Sequence, residues 1–468
     1  MTQCGSGPLP NRPLPFIKST LKLIVACLAL LASQAHTLCA ATPTVTRIAV
    51  GAYHSLFIKS NGSLWLMGYN NYGQLGDLTM NEHHTPEQIV ATNVTAIAGG
   101  QYFSLFQKTD GTIWGMGNSQ YGELGIGTPV TPYMKIVPTL SSSSNSIALA
   151  AGLHHSLFIK TDGSLWGMGG NAFGELGDNS STQRNNAVQI LPSGVTAIAA
   201  ADEFSFFLKT GGNLWAMGIN PDGELGDGSS MTRTNPVFVT SGVVAMSGGV
   251  YHGVFIKSDG TLWGMGYNSN GQLGPNFLTS TNLPVQIVPG AVTAVSAGYY
   301  HTLFLRPDGS LWSMGRNDNG QLGDGTILQR TNPVQIVSHG VTAIAAAQAH
   351  SLFLKSDGSL WGMGYNGDGE LGDGTGTQRN FPVQIVAGIP IPGITSISIS
   401  GANLLLNATN GLSSGTYVTL MTTNAATSLA QWTPVATNLL ATAGNFSITL
   451  TNAFNPSIPE RFYLLQVQ

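Results

Sequence analysis

The chain has 468 residues, of which 18 are Lys or Arg, 22 are Asp or Glu and 60 are glycine, and only 9% are charged. Its 42% apolar content can build a packed core and excludes a disordered chain, which is apolar-poor and charge-rich. The slight acidic balance argues against a nucleic-acid partner, which needs a basic stripe. All three cysteines (Cys4, Cys27 and Cys39) lie before residue 42, so the body has neither a disulfide framework nor a thiolate metal site.

The first element in chain order is an address. Lys18 and Lys22 precede the apolar run Leu23 to Leu31, and small residues follow at Ala32, Ser33, Ala35, Ala40 and Ala41. This is the pattern of a secretory signal peptide, expected over residues 1–41. The apolar stretch is too short to span a bilayer, which needs about 20 residues. Without this segment 15 basic residues face 22 acidic ones. The expected location is secreted or in the cell envelope, periplasm or outer surface, with no transmembrane span once the signal is removed.

From residue 42 to 386 the chain repeats itself seven times. Trp65, Trp114, Trp166, Trp215, Trp263, Trp312 and Trp361 stand 49, 52, 49, 48, 49 and 49 residues apart. Each lies eleven residues after His54, Phe103, His155, Phe204, His252, His301 or His350, and ten before a Leu-Gly pair. A period of this length means a propeller, solenoid or array. In the last unit, Val341 to Ala346 and His350 to Lys355 read as strands. Ser356-Asp-Gly358 reads as a hairpin turn, Ser359 to Met363 as a third strand and Pro382 to Val386 as a fourth. Four short strands per unit and no helical period predict a seven-bladed β-propeller.

The repeated motif is His-Ser-Leu-Phe-x-Lys-x-Asp-Gly-x-Leu-Trp-x-Met-Gly-x-Asn-x-x-Gly-(Gln/Glu)-Leu-Gly-Asp-Gly. On these residues, including Gly73 to Gly76 and Gly320 to Gly323, the chain resembles the regulator-of-chromosome-condensation repeat family. The resemblance covers roughly Thr44 to Val386 and implies seven blades and an interaction platform. The family's namesake is a nuclear exchange factor that binds chromatin. The signal-like start and low charge speak against both activities here. A nearer parallel within the resemblance is a secreted propeller that inhibits β-lactamase through an aromatic-rich face.

Residues present in every unit are first explained by the fold. The seven tryptophans are expected in the inter-blade core, each worth about 3–5 kcal/mol. The histidines are expected to be packed and hydrogen-bonded, because Phe103 and Phe204 take their register. In the register Gln74, Glu123, Glu175, Glu224, Gln272, Gln321 and Glu370, Glu and Gln interchange, so a carbonyl oxygen accepting backbone N–H groups is the expected role. Asp77, Asp178, Asp227, Asp324 and Asp373 read as Asx-turn residues rather than calcium ligands, since a closing bidentate Glu is missing. No metal, cofactor or catalytic residue is expected from these registers.

Function is expected where the copies diverge. The register before the histidine reads Tyr53, Tyr102, His154, Glu203, Tyr251, Tyr300 and Ala349. Four residues after each Trp come Tyr69, Asn118, Gly170, Ile219, Tyr267, Arg316 and Tyr365. Seven after each come Tyr72, Tyr121, Phe173, Asp222, Asn270, Asn319 and Asp368. Tyrosine is a low-entropy contact residue enriched in hot spots. The candidate binding residues are therefore Tyr53, Tyr69, Tyr102, His154, Glu203, Tyr251, Tyr267, Tyr300, Arg316 and Tyr365. They define an exported, monomeric, non-enzymatic protein that binds another protein or a surface glycan. The alternative is a carbohydrate-active lyase or hydrolase in the central funnel, using Glu203 with Arg316 or Asp222, which break the repeat.

Residues 387–393, with Pro390 and Pro392, read as a stiff linker. Short alternating runs follow at Thr395 to Ser400, Tyr417 to Met421, Gly444 to Leu450 and Phe462 to Val467. They predict a small β-sandwich-like domain over 394–468. It resembles a short β module that ends many secreted bacterial proteins, on Trp432-Thr-Pro-Val435, Gly444-Asn-Phe-Ser447 and Arg461-Phe-Tyr463. Its expected role is attachment, sorting or capping. Ile394 to Ser400 could instead extend an edge of the last blade. The whole chain is expected to be all-β.

Overall fold

The computed structural model describes residues 43–127, 134–142, 145–275, 279–388, 393–400, 403–411, 416–422, 433–439, 444–451 and 462–467. The signal-like segment and its cysteines lie outside the described residues, as do Trp432, Arg461 and most of the linker. The described residues are all-β, in two units that meet in sequence at residues 389 and 390. Among them no helix is long and apolar enough to cross a membrane.

The larger unit is a ring of seven four-stranded antiparallel sheets, each with its strands in chain order. The first blade is Val45–Val50, His54–Lys59, Leu64–Gly68 and His83–Val90; the last is Val341–Ala346, His350–Lys355, Leu360–Gly364 and Arg379–Val386. In the last blade the third strand starts one residue later than the sequence pattern predicts, and the fourth three residues earlier. The earlier start of the fourth strand follows from the pairing of Gly364 with Arg379, which extends the ladder into the glycine-rich loop. The first strands touch one another around the ring and line its axis.

The blades are apolar on both faces. In His54–Lys59 the first five residues are all buried. A sheet packed on both sides shows such a continuously buried run. Leu56 and Ile58 join Val94, Phe106 and Met116 of the second blade. Phe57, between them in sequence, joins Leu352, Leu354 and Leu360 of the seventh. Seven such clusters fill the seven interfaces. Close approach of blades explains one glycine: Gly372, at φ 64°, has its missing Cβ position occupied by the Met67 sulfur of the next blade.

Hydrogen bonds repeat across the same interfaces. His54 Nε2 lies 2.7 Å from Ser104 Oγ on the next blade. His155 meets Ser205, His252 meets Thr302, His301 meets Ser351, and His350 meets Ser55 across the closing seam. Ser104, Thr302, Ser351 and Ser55 donate their own protons to the backbone carbonyls of Gln74, Gln272, Gln321 and Glu370. These hydroxyls must therefore accept from histidine, which fixes the Nε2–H tautomer. Ser205 Oγ occupies the corresponding position, 2.8 Å from His155 Nε2. Where Phe204 replaces histidine, the next blade carries Gly253 in place of the hydroxyl.

Among the described residues, ring closure uses no exchanged strand. Val45 N–H donates to Gly358 O at the seam as Val94 N–H does to Gly62 O and Val341 N–H to Gly309 O.

The tryptophans are half-buried rather than fully enclosed. Trp65 lies beside Phe57 across the ladder, and its other neighbour is the Lys59 ammonium, 4.0 Å from the ring centroid. Its Nε1 donates to Ser63 Oγ, which in turn donates to Asn61 Oδ1 in the hairpin. This relay recurs through Asp110, Asp162, Asp259 and Asp357. Blade four has Thr210-Gly-Gly-Asn213 instead, and Trp215 Nε1 is buried without a partner. Partial burial lowers the expected cost of losing one indole to about 2 kcal/mol.

In the C-terminal unit, Gly393–Ser400, Asn403–Gly411 and Gly444–Leu450 form one three-stranded sheet. Thr433–Leu439, Thr416–Thr422 and Phe462–Val467 form another. Gly393–Ser400 pairs with Asn403–Gly411, so it belongs to this unit and does not extend the last blade. Leu404, Leu406 and Ala408 are buried, as are their partners Leu450, Ile448 and Phe446.

The histidine register yields a stability prediction. His301→Phe should cost under about 1.5 kcal/mol, as a volume-conserving swap already used at Phe103. His301→Ala should cost about 2–4 kcal/mol, because it opens a cavity between blades. The midpoints of urea unfolding for the two variants give the comparison.

Candidate functional site

The long loops after the third strands are rigidly built. In blade seven, Asn366 Oδ1 accepts from Leu371 N–H, and Asn366 Nδ2 donates to Asp373 and to the carbonyls of Thr375 and Thr377. Asp373 accepts from Thr375 and pairs with Arg379 at 2.6 Å. Asp178, Asp227 and Asp324 pair likewise with Arg184, Arg233 and Arg330, and Asp77 with His83. The loop and the arginine already engage both oxygens of these carboxylates. In blades two and five, Ile126 and Pro275 take the aspartate's place.

The Glu/Gln register accepts backbone N–H groups. Gln74 accepts from Tyr72, Glu123 from Tyr121, Glu224 from Asp222 and Glu370 from Asp368. The second oxygen of Glu123, Glu224 and Glu370 is buried without a hydrogen bond, and that of Glu123 lies 3.8 Å from His154 Nδ1. Burial pushes Glu123 and Glu370 up to about 8, and Glu175 and Glu224 to about 7. A glutamate that holds its proton there resembles the glutamine of the other blades.

At the ring axis is a cavity of about 190 Å³, lined by residues from all seven blades. Beyond each first strand the chain turns through a small residue into the mouth. Neighbouring turns are joined by backbone bonds: Ala52 N–H to Gly100 O, Leu153 N–H to Ala201 O, Asp202 N–H to Gly249 O and Tyr299 N–H to Ala347 O.

Two of the divergent registers meet beside this mouth. In every blade the residue four after Trp donates its backbone N–H to the carbonyl of the residue before the histidine or phenylalanine. Tyr69 to Tyr53, Asn118 to Tyr102, Gly170 to His154, Ile219 to Glu203, Tyr267 to Tyr251, Arg316 to Tyr300 and Tyr365 to Ala349 span 2.7–3.0 Å. Variation is thus concentrated at one end of every blade.

The tyrosines gather into two clusters. In blades one and two, Tyr53 and Tyr102 stack at 5.6 Å, Tyr72 lies 4.4 Å from Tyr102, and Tyr69 touches all three. In blades five and six, Tyr251, Tyr267 and Tyr300 are mutually 5.9–6.3 Å apart. Arg316 lies over Tyr300 at 5.5 Å and pairs with Asp318. His154 lies 4.7 Å from Tyr121. Tyr365 is exposed. The clustered tyrosines are partly buried, so they pack between adjacent blades and also remain accessible.

Between the clusters the mouth is acidic. Asp202 is pushed up to about 7 by burial, then by Glu203 and Glu175. Glu203 is raised by burial. Burial first, then Tyr53 and Tyr72, lift Tyr102 to about 12, and Tyr299 is raised further by burial and by Asp202. Asp222 accepts from Ser280. Among the described residues no ion pair joins Arg316 to Glu203 or Asp222, so these three do not assemble into one contact set.

Sequence reasoning missed Asp202, Tyr299 and Gln348. They belong to the register Ala52, Gln101, Leu153, Asp202, Val250, Tyr299 and Gln348, one residue earlier than the one singled out. Six residue types occupy its seven positions, Gln101 and Gln348 being alike, and that divergence was the available signal.

A seven-bladed ring built on this motif, with divergent loops around one mouth, defines a propeller of the RCC1 type. The chain belongs to that family: the RCC1-like domain matches residues 134–446, and the regulator of chromosome condensation (RCC1) repeat matches residues 45–74 and 61–107. Human WBSCR16 is similar at 20% identity and a TM-score of 0.63, covering 70% of this chain and 96% of that one. Prp20p of Saccharomyces cerevisiae is similar at 20% identity and a TM-score of 0.59, covering 65% of this chain and 80% of that one. Yeast RCC1 (Prp20) bound to Kap60 gives 16% identity and 0.63, over 78% and 91%. These likenesses show the fold. No curated protein matches the sequence.

The buried acids and bases set a pH dependence. A glutamate whose folded pKa is raised above its ordinary 4.5 stabilises fully below 4.5, and that contribution is lost as pH rises through 7 to 8. His54, His155, His252, His301 and His350 are lowered by burial from 6.5 to about 3, so their contribution is full above 6.5 and lost as pH falls toward 3. The two slopes oppose each other between 4.5 and 6.5. Above 6.5 only the acid slope remains, and the thermal midpoint should drop by several degrees up to pH 8. Replacing Glu123, Glu175, Glu224 and Glu370 together by Gln should flatten that alkaline decline; an unchanged decline would place the titration elsewhere.

Proposed function

We propose that this chain is an exported, non-enzymatic binding propeller that holds a partner protein at the channel mouth. One observation carries this reading: two divergent registers are bonded side by side in all seven blades and carry both tyrosine clusters. Half-buried tyrosines held by their neighbours lose little entropy on binding. The stacked faces of Tyr53 and Tyr102 are occupied by each other, which suits a protein surface better than sugar rings. Prp20p is described with binding to Gsp1p and histones, and yeast RCC1 with Kap60 bound, so protein recognition is compatible with this fold. Export is supported by the basic, apolar and small-residue pattern of residues 18–41. The C-terminal unit is read as a small β-sandwich, supported by the alternate burial of Leu404, Leu406 and Ala408.

The test is capture from envelope and culture-fluid extract of the source organism. The chain from residue 42 is immobilised beside its Tyr53→Ala, Tyr251→Ala, Tyr300→Ala triple variant, both checked for folding. A protein held by the first and retained about tenfold less by the second is the expected result. Equal retention, or capture of glycan alone, would refute the reading.

A further inference from the structure

The axial cavity carries more information than its place in the ring. Its wall is mostly glycine and alanine, and among the described residues no Lys, Arg or His lines it. Ser247 and Ser296 also line it, and their hydroxyls accept from Ala297 and Ala346 N–H. Three other lining side chains are unsatisfied: Asp202 Oδ1, Tyr299 OH and Gln348 Oε1 are buried with no hydrogen-bond partner. They come from three different blades, so no local loop geometry explains them together. Buried polar groups are almost always paired, and leaving one unpaired is costly.

The complement these groups require can be specified. A carboxylate and an amide oxygen accept only, and a phenol accepts or donates. The complementary group is therefore a hydrogen-bond donor. Glu203 stands near Asp202, so a positive charge is favoured. Tyr300 stands near Tyr299, and tyrosine faces attract cations. Tyr300 already carries the Arg316 guanidinium over its ring. The cavity, about 190 Å³, is below the roughly 300–1,000 Å³ of sites that bury a drug-sized ligand, which suits one extended side chain.

We propose that the channel mouth is a socket for a single cationic side chain, a lysine or arginine projected by a loop of the partner protein, with Asp202 as its counter-ion and Tyr299 and Gln348 as further hydrogen-bond partners. This rests on the reading of the mouth as a protein-binding face, and names the chemistry of the partner.

The test uses the purified full chain and three peptides, acetyl-Gly-Ser-X-Ser-Gly-amide with X as arginine, lysine or glutamine, titrated and followed by ligand-observed NMR. The arginine and lysine peptides should bind, with the glutamine peptide at least about tenfold weaker. Asp202→Asn, which keeps the shape, should reduce binding of the charged peptides about tenfold or more. Tyr299→Phe should reduce it about threefold. Equal binding of all three peptides, or unchanged affinity in Asp202→Asn, overturns the socket. Capture by the tyrosine face with no response to these peptides would remove the socket and leave the platform standing. Peptide binding lost in Asp202→Asn, without capture of any protein, would keep the socket and remove the platform.

Discussion

A sheet that is apolar on both faces has no side to give to water. That constraint governs this fold. Each blade buries Leu and Ile against one neighbour and Phe and Met against the other, so no blade is stable alone and an open row would expose two apolar ends. Only a closed ring satisfies all seven. The histidine-to-hydroxyl bonds follow from the same geometry, because an interface this dry can hold a polar pair only where donor and acceptor meet across it. At Phe204 and Gly253 both partners are replaced, whereas opposite Phe103 the hydroxyl of Ser156 is kept and donates to the Glu123 carbonyl.

Closure also explains why the mouth is free to vary. The repeat is committed to its neighbours along the strands and in the clamped loops. The turns beyond the first strands need little more than a small residue and a backbone bond to the next blade. Side chains on those turns can differ in every copy without disturbing an interface. Tyrosines, carboxylates and one arginine accumulate there, and the axial cavity collects polar groups that the ring itself does not satisfy. The scaffold and the recognition chemistry are separated within each blade.

Much of the scaffold was legible in the sequence. The period placed the strands within a few residues, and the exchange of His with Phe and of Glu with Gln marked both registers as structural. The half-burial of the tryptophans was not legible, since it depends on Lys59 and its counterparts covering one face of the indole. The three mouth residues Asp202, Tyr299 and Gln348 escaped because a repeat pattern does not say which of two adjacent divergent registers lies nearer the axis. Turning by one residue exchanges a ring of surface tyrosines for the wall of the cavity. In the C-terminal unit, Asn403–Gly411 and Thr433–Leu439 were missed. The run Leu404-Leu405-Leu406 breaks the alternation expected of a half-exposed strand, and the second strand is rich in threonine and alanine.

The absence of an exchanged strand at the seam has an evolutionary consequence. Each repeat in the sequence is one whole blade, beginning with its axial strand and ending with its outer one. Coding unit and folding unit are in phase. Gain or loss of one repeat through unequal recombination therefore adds or removes a complete wedge and leaves no half-blade to be rescued. Copies can be shuffled, duplicated or replaced one at a time while their junctions keep the same backbone bond, from hairpin glycine to the next axial strand. In such a lineage the mouth could acquire new side chains blade by blade, each tried on a ring whose joints are already interchangeable.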